Sequence, residues 1–310
     1  MKRKIILDCD PGHDDAIALM LAGYHKDIEL LGVSVVSGNQ TLEKTGLNTL
    51  NLVQYLGLDI PVSLGSKRPI IKEEEVCEVI HGESGLDGVD FPPLRKTFDK
   101  RHAIDLIKDL TLNTKDKVTI VTTGPMTNLG LAIRVYPEIL ENIEEIVLMG
   151  GSYTNGNVSP AAEFNIFTDP EAAHICFNSG VKVTMIGLDI TRKVLVLPEI
   201  VERMDKINNH ASKLFVDLMK VFNENQKKVF GFPGGPLHDP VTIAYLIEPS
   251  LLTIKHMHCS IDISHGPSYG RTNCDVFDYQ HNAFNTYVAT DINVNKFWKI
   301  IEDTMKEGVQ

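Results

Sequence analysis

Four aspartates, Asp8, Asp10, Asp14 and Asp15, fall within the eight residues "DCDPGHDD". They directly follow the apolar run "IIL", so desolvation and mutual repulsion both oppose their charge. Such a cluster makes sense where something positive or hydrogen-bond-donating meets it. On a strand, Asp8 and Asp10 share one face and Cys9 takes the other. Pro11-Gly12 ends that strand, and Asp14 and Asp15 then open a helix, whose dipole favours carboxylates. Capping accounts for one of them, Asp14, and leaves Asp10 and Asp15 together unexplained. Oxygen-only ligands converging on one point suit a hard cation, Ca2+ or Mg2+.

Two further stretches carry chemistry. In "GFPGGPLHDP", residues 231–240, glycine and proline bring the backbone close to something, and His238-Asp239 precedes the helical pattern "PVTIAYLI". On its own that pair reads as a helix cap; its interest lies in having a distant acidic partner in the first loop. In "AAEFNIFTDPEAA", residues 161–173, Glu163 and Asn165 stand before a capped helix, with Asn157 a few residues upstream. Glu and Asn side chains suit hydrogen bonding to sugar hydroxyls. A rival for "DCDPG" is a phosphatase of the aspartyl-nucleophile type using Asp8 and Asp10. Those enzymes usually carry Thr or Val where Pro11 stands.

These residues need elements to hold them. Continuous apolar runs at 4–9, 29–37, 117–122, 144–149 and 181–187 predict strands buried on both faces. Helical periodicity lies between them at about 15–23, 42–56, 102–113, 126–136 and 170–178, the last with Asp169 as N-cap and Pro170 in its first turn. The pattern is mainly helical from 190 to 247. A β-like stretch follows at 251–263, and the amphipathic "VNKFWKIIEDTMKEG" forms a last helix. Phe215, Met219 and Phe222 read as packing. Strand–helix alternation predicts an α/β fold: an open, mostly parallel sheet flanked by helices, with right-handed crossovers and one domain over 1–310. Each strand candidate ends in a polar, glycine-bearing loop ("DCDPGHDD", "SGNQ", "TTGPMTN", "MGGSYTNGN", "GLDITR"), which places the active site at the carboxyl ends of the strands.

Composition narrows the partners. The 310 residues are 43% hydrophobic and 23% charged, with a net charge of -11 and no basic run. Nucleic acid and anionic membranes are disfavoured as partners. No apolar run approaches the ~20 residues that span a bilayer. The basic start (Lys2, Arg3, Lys4) is followed by Asp8 and Asp10 rather than a secretory apolar core, so the expected location is cytoplasmic. Five scattered cysteines without CxxC spacing support neither a disulfide framework nor a structural zinc.

Taken together, "DCDPGHDDAIA", "HGESGLDG", "TTGPMTNLGLA", "MGGSYTNGNVSPAAEFNIFTDPEAA" and "GGPLHDP" resemble the nucleoside hydrolase family of the inosine-uridine preferring type, in the family's order from residue 5 to about 245. "LDCDPGHDDAIA", "GNQTL" and "IHG" are most similar to the bacterial pyrimidine-specific ribonucleoside hydrolases. The resemblance implies calcium-dependent hydrolysis of the N-glycosidic bond of ribonucleosides, uridine and cytidine first, by a homodimer or homotetramer. It implies Ca2+ ligands at Asp10, Asp15, the Thr123 carbonyl and Asp239, with Asp10 also the base that takes the water's proton. Asp14, Asn39, Asn157, Glu163 and Asn165 would fix the ribose, and Met149 and Phe164 would line the pocket. His81 and His238 would assist the departing base, and Gln226 would contact it. Phe230 stands where the pyrimidine-specific relatives carry a tyrosine, which leaves a broader inosine-uridine preference open. A non-catalytic nucleoside-binding protein on the same scaffold is the reading from a different class.

Overall fold

The computed structural model describes residues 2–308. Among these the strands are β1 (Arg3–Cys9), β2 (Ile28–Val35), β3 (Val62–Leu64), β4 (Val118–Thr122), β5 (Ile143–Met149), β6 (Val183–Ile186), β7 (Leu252–Met257), β8 (Cys259–Ile261), β9 (Thr272–Cys274) and β10 (Thr286–Ile292). The helices are α1 (His13–Tyr24), α2 (Leu42–Tyr55), α3 (Glu78–His81), α4 (Ala103–Asn113), α5 (Thr127–Val135), α6 (Phe164–Thr168), α7 (Pro170–Phe177), α8 (Leu188–Thr191), α9 (Pro198–Asp205), α10 (His210–Phe230), α11 (Pro240–Ile247) and α12 (Val294–Glu307). The main sheet runs β3-β2-β1-β4-β5-β6-β10-β7. Every neighbouring pair is parallel except β10 and β7. Strands β8 and β9 form a separate two-stranded ribbon. Among the described residues no helix is long and apolar enough to cross a membrane.

β1 shows why apolar runs mark the strands. Ile5, Leu7 and Cys9 pack into one buried layer with Ile17 and Leu21 of α1 and Val241 of α11. Ile6 packs into the opposite layer with Ile120, Leu129 and Ile146. Both faces are covered, so the alternation typical of a half-solvated strand disappears. Helix α1 is buried from His13 to Ala22, which is why "AIALMLA" lacks a polar stripe.

The chain leaves β1 toward β2 and β3 on one side, then returns to build β4, β5 and β6 on the other. The crevice where the order reverses, between β1 and β4, is the topological switch point of an open α/β sheet. Asp8 sits there. Its Oδ1 accepts from Ser34 Oγ (2.6 Å) and Asn128 Nδ2 (2.8 Å), and its carbonyl accepts from the Thr123 N–H (2.9 Å). Burial pushes its carboxyl up to about 7 against those two donors. Asn128 also donates to the Val35 carbonyl (3.1 Å) and accepts from the Ser66 N–H (2.7 Å), so one side chain ties α5 to β1, β2 and the loop after β3. Asn128→Ala is expected to cost about 2–4 kcal/mol, because it strands several buried polar groups at once. Urea unfolding checks this; a loss under about 0.5 kcal/mol, the size of an ordinary surface substitution, would remove Asn128 from the frame of the site.

The five strands and five helices expected from periodicity are present, each within about two residues of its expected bounds. Three strands, β3 and β10 of the main sheet and β9 of the ribbon, are not among those expected. β3 has three residues, too few for a pattern, and β10 lies in a polar part of the chain. The 251–263 stretch breaks at His258: β7 joins the main sheet and β8 leaves it for the ribbon. Asp169 caps α7 as expected, accepting from the Ala172 N–H (3.0 Å). In the first helix the local capping falls to Asp15, not Asp14: Asp15 Oδ2 accepts from the Gly12 N–H (3.0 Å).

Candidate active site

The loops after β1, β2, β4 and β5 meet α3, α10 and the start of α11 around one pocket. It is lined by Asp14, Asn39, His81, Thr123, Met149, Asn157, Glu163, Phe164, Asn165, Gln226, Phe230, His238 and Asp239, among others. Residues from 14 to 239 therefore converge on one site. Asp10 and Asp15 are not in the lining; both are fully buried just beneath it.

The floor is acidic. Carboxylate oxygens of Asp14, Asp15 and Asp239 lie within 4.8 Å of one another. Asp15 Oδ1 accepts from Thr123 Oγ1 (2.7 Å) and its Oδ2 from Asn39 Nδ2 (3.1 Å). Asp10 Oδ2 accepts from the Asn39 N–H (2.6 Å), while Asp10 Oδ1 is buried with no hydrogen-bond partner. Two glycines make room for that carboxylate: a Cβ at Gly38 or Gly124 would overlap it. Burial and neighbouring carboxylates raise Asp10 and Asp239 well above the ordinary carboxylate value and Asp14 to about 7. An orphaned buried oxygen beside three converging carboxylates fits a bound cation, and an all-oxygen donor set fits a hard one.

Several expected ribose contacts have structural partners. Asn39 spends its side-chain amide on Asp15 and its backbone on Asp10, so it positions both carboxylates. Glu163 caps α6: Oε1 accepts from the Asn165 N–H (2.9 Å), and Oε2 from the N–H groups of Gly151 (2.9 Å) and Ile166 (3.1 Å). Asn165 Nδ2 donates to the carbonyls of Thr123 (2.7 Å) and Met149 (3.1 Å), joining the ends of β4 and β5. Asn157 Oδ1 accepts from the Phe164 N–H (2.9 Å). These bonds hold the pocket's shape before any ligand enters.

The upper wall carries the histidines. His81 Nδ1 accepts from the His13 N–H (3.2 Å), which leaves the His81 proton on Nε2. His13 is fixed in turn by Nε2 against the Asp87 carbonyl (2.9 Å). His238 Nδ1 shares a hydrogen bond with Thr191 Oγ1 (2.7 Å). Burial drops His238 to about 3 with help from Arg192, and drops His81 well below its ordinary value with help from His13 and His238. Both rings are neutral at pH 7. Each spends Nδ1 on the protein and leaves Nε2 for a ligand.

The chain matches a known family along nearly its whole length. The model for inosine-uridine preferring nucleoside hydrolases matches residues 5–299. The chain belongs to that family. A pyrimidine-specific ribonucleoside hydrolase, RihB, of Escherichia coli K12 strain DH10B is 45% identical over 305 residues, covering 98% of this chain and 97% of the relative. Among solved structures, a purine-preferring ribonucleoside hydrolase from Gardnerella vaginalis superposes with a TM-score of 0.90 at 33% identity, covering 98% of this chain and 99% of that one. A plant nucleoside hydrolase superposes at 0.92 with 27% identity, covering 99% of both chains. This nucleoside hydrolase is an enzyme of N-glycosidic bond cleavage, and the α/β sheet expected from periodicity is the family's fold.

Phe222 and Arg192 also line the hydrolase's pocket, outside the set that its motifs single out. Phe222 is not only packing: it lines the pocket and stacks on His13 and His81 at centroid distances of 5.6 and 6.0 Å. It sits one helical turn before Gln226, which was the available signal. Arg192 donates from Nη2 to the Gly156 carbonyl (2.7 Å) and from Nη1 to that of Asn155 (3.3 Å), pinning the loop that carries Asn157. Its signal was its place in "GLDITR", a strand-end loop.

Proposed function

We propose that this enzyme hydrolyses the N-glycosidic bond of pyrimidine ribonucleosides, uridine and cytidine, to ribose and free base, with calcium at the acidic floor. The observation that carries the reading is the division of the pocket: carboxylates below, two neutral histidines and an amide above. Asp10, Asp15, the Thr123 carbonyl and Asp239 would hold the calcium, whose charge offsets their repulsion and acidifies the attacking water. Asp10 accepts that water's proton. Asp14, Asn157, Glu163 and Asn165 face the ribose, with Asn39 holding Asp10 and Asp15 in register beneath. As the bond to the base stretches, positive charge grows on the sugar, and the carboxylates lower the barrier electrostatically. Negative charge grows on the base, where His81 donates from Nε2 and His238 presents its own Nε2. The same reading makes the enzyme cytoplasmic, and a homodimer or homotetramer.

Gln226 supports the pyrimidine assignment. It is buried at the pocket wall and its Oε1 has no partner among the described residues, an acceptor kept for a ligand. Phe230 favours a second reading, a broader inosine-uridine hydrolase. It ends α10 at the pocket edge, 47% exposed and tilted against Phe232 at 5.6 Å between ring centroids, with no hydroxyl to orient a base.

Ribose release from uridine, cytidine, inosine, adenosine and deoxyuridine separates the readings. Uridine and cytidine are expected to lead, with deoxyuridine slower by at least about 100-fold for want of its 2′-hydroxyl. Inosine ahead of both would move the assignment to the broader enzyme. His238→Ala is expected to lower kcat for uridine about 100-fold with KM within a few-fold. Equal losses in kcat and affinity would assign it to binding instead.

A further inference from the structure

Cys259 and Cys274 face each other across the β8–β9 ribbon with their sulfurs 3.1 Å apart, both as free thiols. Register decides what such a pair can do. In an antiparallel ladder, opposed residues alternate between hydrogen-bonded pairs and closer, non-hydrogen-bonded pairs. The Asp275 N–H donates to the His258 carbonyl (2.8 Å) and the Asp262 N–H to the Arg271 carbonyl (2.9 Å). Those bonds mark 258–275 and 262–271 as hydrogen-bonded pairs, so 259–274 is of the other kind. The Cys259 backbone agrees: its N–H donates to Asn285 Oδ1 (2.8 Å) and its carbonyl accepts from Asn285 Nδ2 (2.9 Å), so neither group is used on β9. Opposed Cα atoms in a non-hydrogen-bonded pair stand about 4.5 Å apart, within the range a disulfide spans.

We propose that Cys259 and Cys274 form a redox site that closes reversibly to an intramolecular disulfide, with a low-molecular-weight disulfide as the oxidant. Cys274 is the half-buried member and lines a surface cleft with His258, Arg271 and Tyr279, so it meets the oxidant first. Its thiolate attacks one sulfur of the small disulfide, giving a mixed disulfide and one small thiol. The Cys259 thiolate then attacks the Cys274 sulfur and releases the second small thiol. Two protein S–H bonds give one S–S bond, and the two electrons reduce the small disulfide to two thiols. The Cys259 contact and burial both raise the Cys274 thiol, so exchange is faster at alkaline pH.

The ribbon is tied to the active site. Thr272, two residues before Cys274, accepts at Oγ1 from the Ser152 N–H (2.9 Å) and donates to the Ser152 carbonyl (2.5 Å). The adjoining Gly151 N–H donates to Glu163 Oε2. The disulfide would staple the ribbon that braces the loop leading to Glu163. The other three cysteines have no such opposite number: Cys9 and Cys176 are buried in different layers, and Cys77 lines the pocket.

The test incubates the full-length enzyme with oxidised glutathione at alkaline pH, alkylates the remaining thiols and maps tryptic peptides. The expected result is a fall from five titratable thiols to three, with peptide 256–271 joined to peptide 272–296 and released by dithiothreitol. Cys274→Ser is expected to lose the cross-link and to keep reduced wild-type activity within about two-fold, as a substitution away from the reacting groups. Five thiols still titratable, a glutathione adduct on Cys274 that never resolves, or a cross-link that survives in Cys274→Ser would each overturn the proposal.

Discussion

Asp10→Asn is expected to lower kcat for uridine by at least about 1,000-fold, within the range for loss of a positioned general base, while the protein stays folded. The amide matches the carboxylate in shape, so the close approach of Gly38 and Gly124 is preserved. It keeps an oxygen for the Asn39 N–H but cannot take a proton from water. Asp10→Ala should lose as much turnover and also leave a small void under the pocket. Thermal unfolding alongside kinetics separates chemistry from damage. Asp10→Asn removes a buried charge whose Oδ1 has no partner, so it should unfold no more easily than the cation-free wild type, whereas Asp10→Ala also strands the Asn39 N–H and should unfold more easily than Asp10→Asn. An Asp10→Asn enzyme within ten-fold of wild type would place the base elsewhere, and Asp14, a carboxylate that lines the pocket, would be the first substitute.

Chelation of divalent cations is expected to suppress turnover at least about 100-fold, with recovery on adding calcium, since the attacking water loses its acidification. It should also lower the Tm, and by more at pH 8 than at pH 5. The sign follows from the folded carboxyls. Asp10, Asp14 and Asp239 sit above their unfolded value of 3.8, Asp14 at about 7, because burial and neighbouring carboxylates disfavour their charge. The folded state then binds protons more tightly than the unfolded one. Its stability from these groups is complete below the unfolded value and is lost as pH rises through the folded values. A cation restores at pH 8 what deprotonation takes away. Tm measured with chelator and with calcium at both pH values checks this. Equal shifts at the two pH values would mean that the ion is held away from this cluster.

The sequence exposed the site better than it exposed the sheet. Asp8, Asp10, Asp14 and Asp15 were conspicuous because desolvation and repulsion make such a cluster costly without a purpose. The structure groups Asp14 and Asp15 with Asp239 and leaves an oxygen of Asp10 unmatched. The roles of Asn39 and Glu163 were harder to read. Each is held by backbone or side-chain bonds to residues near in space but set by the fold, and no spacing announces those. Phe222 was assigned to packing because helical periodicity cannot separate a side chain facing the core from one facing a cavity beside it. Strands β1, β2, β4, β5 and β6 announced themselves through double-sided burial. β3 was too short for a pattern, and β10, buried at Thr286, Val288, Ala289 and Ile292 and open at the positions between, lies within a polar segment. Cys259 and Cys274 lie fifteen residues apart with no motif between them, and only the ribbon's register makes them partners.

The position of β10 bears on how the chain is made. It lies between β6 and β7, yet it is the last strand to leave the ribosome. Until residues 286–292 emerge, β6 presents an unpaired edge and β7 has no neighbour in the main sheet. The active-site loops belong to strands synthesised far earlier, so the pocket's frame can assemble while the sheet is still open. A nascent or prematurely terminated chain ending before residue 286 therefore carries most of the site together with an adhesive sheet edge, the combination that chaperones bind and that aggregates grow from. The C-terminal fifth of the molecule lies outside the pocket's lining, but it completes the sheet.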